Sequence, residues 1–175
     1  MRTTPSQPTK STERSENTDA LALLIADHQK VTDLFEQFES ALESASSEQK
    51  SLSDQICDEL EIHSTLEEEI FYPAVNQQIS LQPLVEEALQ EHAEVREAIQ
   101  IIRNQRADDT QFGANMLQLM EDVERHVDEE ENVLFPEVES RLGAELESIG
   151  FQLKSRKQEL MASMPDRADD DSSIS

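Results

Sequence analysis

The sequence predicts an all-α fold, an up-down-up-down four-helix bundle with an additional, shorter C-terminal helix. Three observations carry this expectation. Four long stretches place apolar residues at spacings of three and four, the period of an amphipathic helix. The composition, with only three Gly, no Trp and 4% aromatic residues, is poor in helix breakers and in strand formers. The second pair of stretches also repeats the first pair after an offset of 63 or 64 residues.

Residues 1–17 are Ser, Thr, Pro and charge, so a disordered N-terminal tail is expected there, and a second tail over 163–175. Residues 18–162 are then expected to form one domain. The first helix carries Leu21, Leu24, Ile25, His28, Val31, Phe35, Phe38 and Leu42 and ends in the Ser-rich 44–48. The second sets Leu52, Ile56, Leu60, His63, Glu67 and Ile70 on one stripe, meets Pro73 and fades near Gln78. Ser80 followed by Pro83 reads as a cap and an early-turn proline. The third helix runs through Leu84, Ala88, His92, Val95, Ile99 and Ile102 and ends before Asp108. The fourth runs through Phe112, Met116, Leu119, Val123, His126, Glu130 and Val133, where Pro136 interrupts it. A shorter amphipathic piece over 137–162 is left to pack across the bundle or cap one end. Short connections make antiparallel neighbours.

The formal charge of −25 repels nucleic acid and anionic membranes, which excludes both as partners. No apolar run is long enough to span a bilayer, and the N-terminus lacks the apolar core of a secretory signal, so a cytoplasmic location is expected. The single cysteine, Cys57, rules out an intrachain disulfide or a thiolate cluster and reads as a small apolar core residue.

The repeat carries the chemistry. HSTLEEEIFYP from His63 matches HVDEEENVLFP from His126, and Asp27-His28 with Val31 matches Glu91-His92 with Val95. Counting residues from each predicted turn puts all four histidines at one bundle level, within roughly 3–5 Å at ~1.5 Å rise per residue. In HxxxE the imidazole and the carboxylate share a helix face. Glu67 and Glu130 therefore point into the bundle with no Lys on the seams to neutralise them, and leaving a buried carboxylate unpaired costs about 3–5 kcal/mol. Cations would neutralise them. Four imidazoles and two carboxylates exceed one tetrahedral zinc, and calcium and magnesium prefer oxygen shells. Two transition ions sharing two bridging carboxylates use every donor, and mixed N/O ligation suits iron, with manganese second. The ExxH pairs of ferritin-like bundles are missing.

This ordered set, His28, His63-x3-Glu67, His92 and His126-x3-Glu130 with aromatic and proline residues after each HxxxE, resembles the hemerythrin-like (HHE cation-binding) family over about residues 19–140. The resemblance implies a four-helix bundle around a non-haem di-iron centre of two Fe ions, oxo- or hydroxo-bridged when oxidised. His28 and His63 would hold one iron and His92 and His126 the other, with Glu67 and Glu130 bridging. It implies binding of O2 or a related small ligand, NO or peroxide, in sensing or in a redox and oxidative-stress response. An enzyme acting on peroxide or NO, or iron-centre repair or iron donation, is the alternative. With no output domain in these residues, a signal would pass to a separate protein partner.

The oxygen carriers of that family have a fifth histidine at the position of Arg96 here. They also use a carboxylate corresponding to Glu131. Glu130 is preferred because it matches Glu67 in the repeat and falls on the seam of Val123, His126 and Val133. Glu68 and Glu131 are expected to be solvated, Tyr72 to be a half-buried interface residue, and Phe71, Leu134 and Phe135 to be core that keeps water from the metals.

Overall fold

The computed structural model describes residues 19–164, so 1–17 and 165–175 of the two expected tails lie outside the described residues, while Ser163, expected in the second tail, ends the last helix. Asp19 caps the first helix, α1 (Ala20–Ser40), by accepting from the backbone N–H of Leu21 at 2.9 Å and Ala22 at 3.2 Å. Next come α2 (Ser46–Leu66), a π-helical turn (Glu67–Phe71) and α3 (Tyr72–Val75), which together form the second rod. The third rod is α4 (Gln82–Arg103). The fourth joins α5 (Phe112–Glu129), a second π-turn (Glu130–Leu134) and α6 (Phe135–Leu142), and α7 (Leu146–Ser163) comes last. The rods alternate in direction, with α1 beside α2, α2 beside α4, α4 beside α5 and α5 closing back on α1. This is the predicted up-down-up-down bundle. The shorter C-terminal helix is α7, which packs on α1 and α2.

Three local expectations change. Pro136 does not end the fourth rod, which continues as α6 to Leu142, so residues 137–142 belong to the bundle rather than to the C-terminal piece. The reason lies in the π-turns. The N–H of Tyr72 bonds the carbonyl of Glu67, and that of Phe135 bonds the carbonyl of Glu130, five residues back in each case. Each proline thus enters where the ordinary ladder is already interrupted, and its missing N–H does not break a regular turn. The extra residue also rotates the rest of the rod about its axis. Val133, expected on the seam, is 48% exposed, and Leu134 is buried instead. Finally, Ser80 lies in a 3₁₀ turn (Ile79–Leu81) rather than capping α4, and Pro83 sits in the first turn of that helix as expected.

The core is divided. One apolar cluster gathers Leu24, Leu66, Phe71, Val85, Phe135 and Leu153 with their neighbours. The other gathers Phe35, Phe38, Ile56, Cys57, Phe112 and Met116. On every rod the histidine falls between the two clusters. Phe112 anchors the cluster away from α7, fully buried with its ring edge on Phe38 at 6.2 Å. Phe112→Ala is expected to cost about 3–5 kcal/mol, read as a lower urea midpoint with the helical content of the folded state unchanged.

Candidate metal centre

The layer between the clusters contains every histidine of the chain. His28, His63, His92 and His126 are 4–6% exposed, Glu67 is 0% and Glu130 is 2%. The Nε2 atoms of His28 and His63 lie 3.1 Å apart, and those of His92 and His126 also lie 3.1 Å apart. The carboxylates join the two pairs. Glu67 Oε2 is 3.2 Å from His63 Nε2 and 3.3 Å from His92 Nε2. Glu130 Oε2 is 3.3 Å from His28 Nε2 and 3.6 Å from His126 Nε2. Donor atoms of His28, His63, Glu67 and Glu130 all lie within 4.8 Å of one another, as do those of Glu67, His92 and His126. Both groups could hold a metal ion.

The outward ring nitrogens have carboxylate partners. His28 Nδ1 is 2.8 Å from Glu131, His126 Nδ1 is 2.8 Å from Glu91, and His92 Nδ1 is 3.1 Å from Glu68. His63 Nδ1 faces Asp27 at 3.8 Å, an ion-pair distance rather than a hydrogen bond. A carboxylate only accepts, so the ring proton belongs on Nδ1 and the Nε2 lone pair faces the centre in the neutral ring. Glu68 and Glu131, expected in solvent, are 30% and 34% exposed and hold histidines. The repeat contains this signal. Asp27 and Glu91 correspond, and so do Glu68 and Glu131, so each half supplies the same two acids. Arg96 ion-pairs with Glu68 at the rim and is itself 49% exposed.

Tyr72 departs furthest from its expected place. It is 1% exposed, and its hydroxyl donates to Glu130 Oε1 at 2.6 Å while lying 3.3 Å from Glu67 Oε2 and from His92 Nε2. The π-turn brings position i+5 over Glu67, which an α-helix would rotate away. The repeat sets Phe135 at the equivalent place, stacked on His28 with ring centroids 5.9 Å apart.

Metal fits this donor set. Oε1 of Glu67 and Oε2 of Glu130 are buried without a hydrogen-bond partner, an arrangement that destabilises the fold unless a cation or proton compensates it. Within the layer itself, a proton on His63 contributes to this. Burial opposes protonation of His63, but the Glu67 charge, with Asp27 and Glu130 adding, pushes it up to about 10. Burial likewise resists charge on Glu67, yet His63 and His92 hold it well below the usual carboxylate range. Burial and both carboxylates push the Tyr72 phenol well above its ordinary value.

The family model for the Hemerythrin HHE cation binding domain matches residues 19–138. Among solved structures, a Hemerythrin HHE cation binding domain-containing protein from Mycobacterium kansasii is similar at 25% identity and a TM-score of 0.68, covering 83% of this chain and 88% of that one. No curated protein matches the sequence significantly.

The charge balance of the layer makes metal-free stability depend on pH. His63 lies above its ordinary 6.5 when folded, so its contribution to metal-free stability is complete below pH 6.5 and is lost as pH rises through about 10. Glu67, held below its ordinary 4.5, contributes above that pH and loses its contribution as the medium becomes more acidic. The urea midpoint of metal-free protein should therefore peak between these limits and fall by pH 10, and His63→Asn should flatten the alkaline limb. A midpoint still climbing at pH 10 contradicts this. Separately, Glu68→Gln should weaken metal binding roughly 10-fold or more by loosening His92, measured by competition with a chelator.

Proposed function

The chain belongs to the hemerythrin HHE cation-binding domain family, and from that premise we propose that residues 18–162 form one unit holding two iron ions and binding O2, NO or peroxide in a sensing or redox response. His28 and His63 take one ion, His92 and His126 the other, and Glu67 and Glu130 lie between them. One observation carries the reading. Two pairs of Nε2 atoms converge on two buried carboxylates that each keep an oxygen without a hydrogen-bond partner. Nitrogen and oxygen donors in that mixture favour iron over zinc or calcium.

When bound, the iron would supply the electrons and open coordination positions that such ligands require. The chain supplies the rest. Phe71, Phe135 and Leu134, all buried, exclude water from one side of the layer. On the other side a cavity of about 20 Å³ lies among the four histidines, walled by Val31, Val95 and Val123. That space accommodates about one water-sized molecule, which favours a diatomic or peroxide over an organic substrate. The Tyr72 hydroxyl is the hydrogen-bond donor beside His92.

Metal analysis of purified protein should give about two irons per chain. His126→Ala should reduce this toward one while the helical circular dichroism persists. Anaerobic titration of the ferrous protein with O2 or NO should change the optical spectrum, and removing the gas should restore it. Absence of metal overturns the reading. A spectrum that never returns overturns reversible binding, and sustained peroxide turnover moves the assignment to an enzyme.

A further inference from the structure

The two halves of the repeat surround the histidine layer differently, and the difference opens one side. In the first half, Leu23, Leu24 and Leu66 pack beneath α7, whose Lys157 pairs with Asp27. The corresponding positions in the second half are Glu87, Ala88 and Glu129. No described helix covers that face, and a cavity of about 210 Å³ opens there between α4 and α5. It is lined by Glu87, Glu91 and Glu129 toward its mouth and reaches His126 and Glu130. Glu130 is 2% exposed, and its Oε2 is among the buried atoms without a hydrogen-bond partner. Arg125 approaches the mouth at Glu91, 3.9 Å away, and pairs with Asp122 at 3.2 Å.

We propose that this cavity is the entry port for the metal, a transit site in which Glu87 and Glu129 receive a divalent cation and pass it to Glu130 and His126. The proposal rests on the metal-binding reading above. Carboxylates in a concave mouth raise the local concentration of cations, an effect that salt screens. Leucines at the same positions seal the opposite half, where an equivalent path would meet α7. A second opening of about 170 Å³ reaches His28 past Glu124, Asp128 and Glu131. There the carboxylate of Glu131 already binds the outward nitrogen of His28, and the cavity does not reach Glu67 or Glu130.

The test uses the full chain stripped of metal and mixed anaerobically with Co(II), whose visible absorption reports occupancy. Glu87→Gln with Glu129→Gln should slow loading about 10-fold at low ionic strength. The difference should shrink at high salt, with final Co(II) per chain and spectrum unchanged. Glu91 is kept because it holds His126. Glu129→Leu, which installs the leucine of the sealed half, should slow loading at every ionic strength. Glu124→Gln with Asp128→Asn, at the second opening, should load like the wild type. Wild-type rates in the Glu87/Glu129 variant, or equal slowing in the Glu124/Asp128 variant, overturn the port. If the wild type takes up no Co(II), the metal-binding reading fails and the port fails with it.

Discussion

Two carboxylates buried among histidines, with no Lys or Arg within reach, impose the constraint on which the rest of the structure depends. Glu67 and Glu130 sit between two apolar clusters and are 0% and 2% exposed. A bundle satisfied by aliphatic packing alone would tolerate slippage between rods. This one does not, because a shift of one turn on any rod would carry a histidine about 5.4 Å into an apolar cluster and leave a carboxylate unpaired. The polar layer thus sets the register of all four rods. It does so at a cost in stability that a proton on His63 partly offsets in the metal-free chain and that a cation would offset in the loaded one.

The π-turns arise from the same constraint. Each begins at the buried glutamate, and each ends just before the aromatic residue that covers the layer. A regular helix would keep His and Glu on one face and turn the residue five beyond Glu away from it. One extra residue per rod brings Tyr72 over Glu67 and sets Phe135 against His28. The prolines after them are compatible with straight rods because the ladder is already open there.

Much of this is legible in the sequence. Period and repeat define the rods, and the count from each turn places four histidines at one level because helical rise is constant. Glu130 rather than Glu131 corresponds to Glu67 in the repeat, and it is Glu130 that the layer buries. The features that sequence reasoning misses depend on the π-turns or on neighbours across the bundle. Periodicity assumes an unbroken 3.6-residue turn, so it draws Val133 inward and Tyr72 outward. Glu68 and Glu131 look solvated because their partners, His92 and His28, belong to other rods. The repeat does contain a correction: a hydroxyl at position 72 against a plain ring at 135 is an asymmetry beside an otherwise symmetric set of donors.

That asymmetry extends past the aromatic pair. Duplicated hairpins would present two equivalent halves, yet His28 meets the face of Phe135 while His92 has a phenol 3.3 Å from its Nε2. On the first side α7 covers α1 and α2, with Lys157 holding the Asp27 that faces His63. On the second, α4 and α5 leave a concave acidic face and Arg96 braces Glu68 at the rim. Substitutions that leave the six inward residues intact and alter only their surroundings change access, polarity and hydrogen bonding without disturbing the register that those six enforce. The helix α7 thereby covers the side of His63, whereas the second half keeps a phenol beside His92 and a cavity that opens to solvent from His126. If metal enters by the proposed port, it does so on the side of His92 and His126, where the Tyr72 phenol also stands.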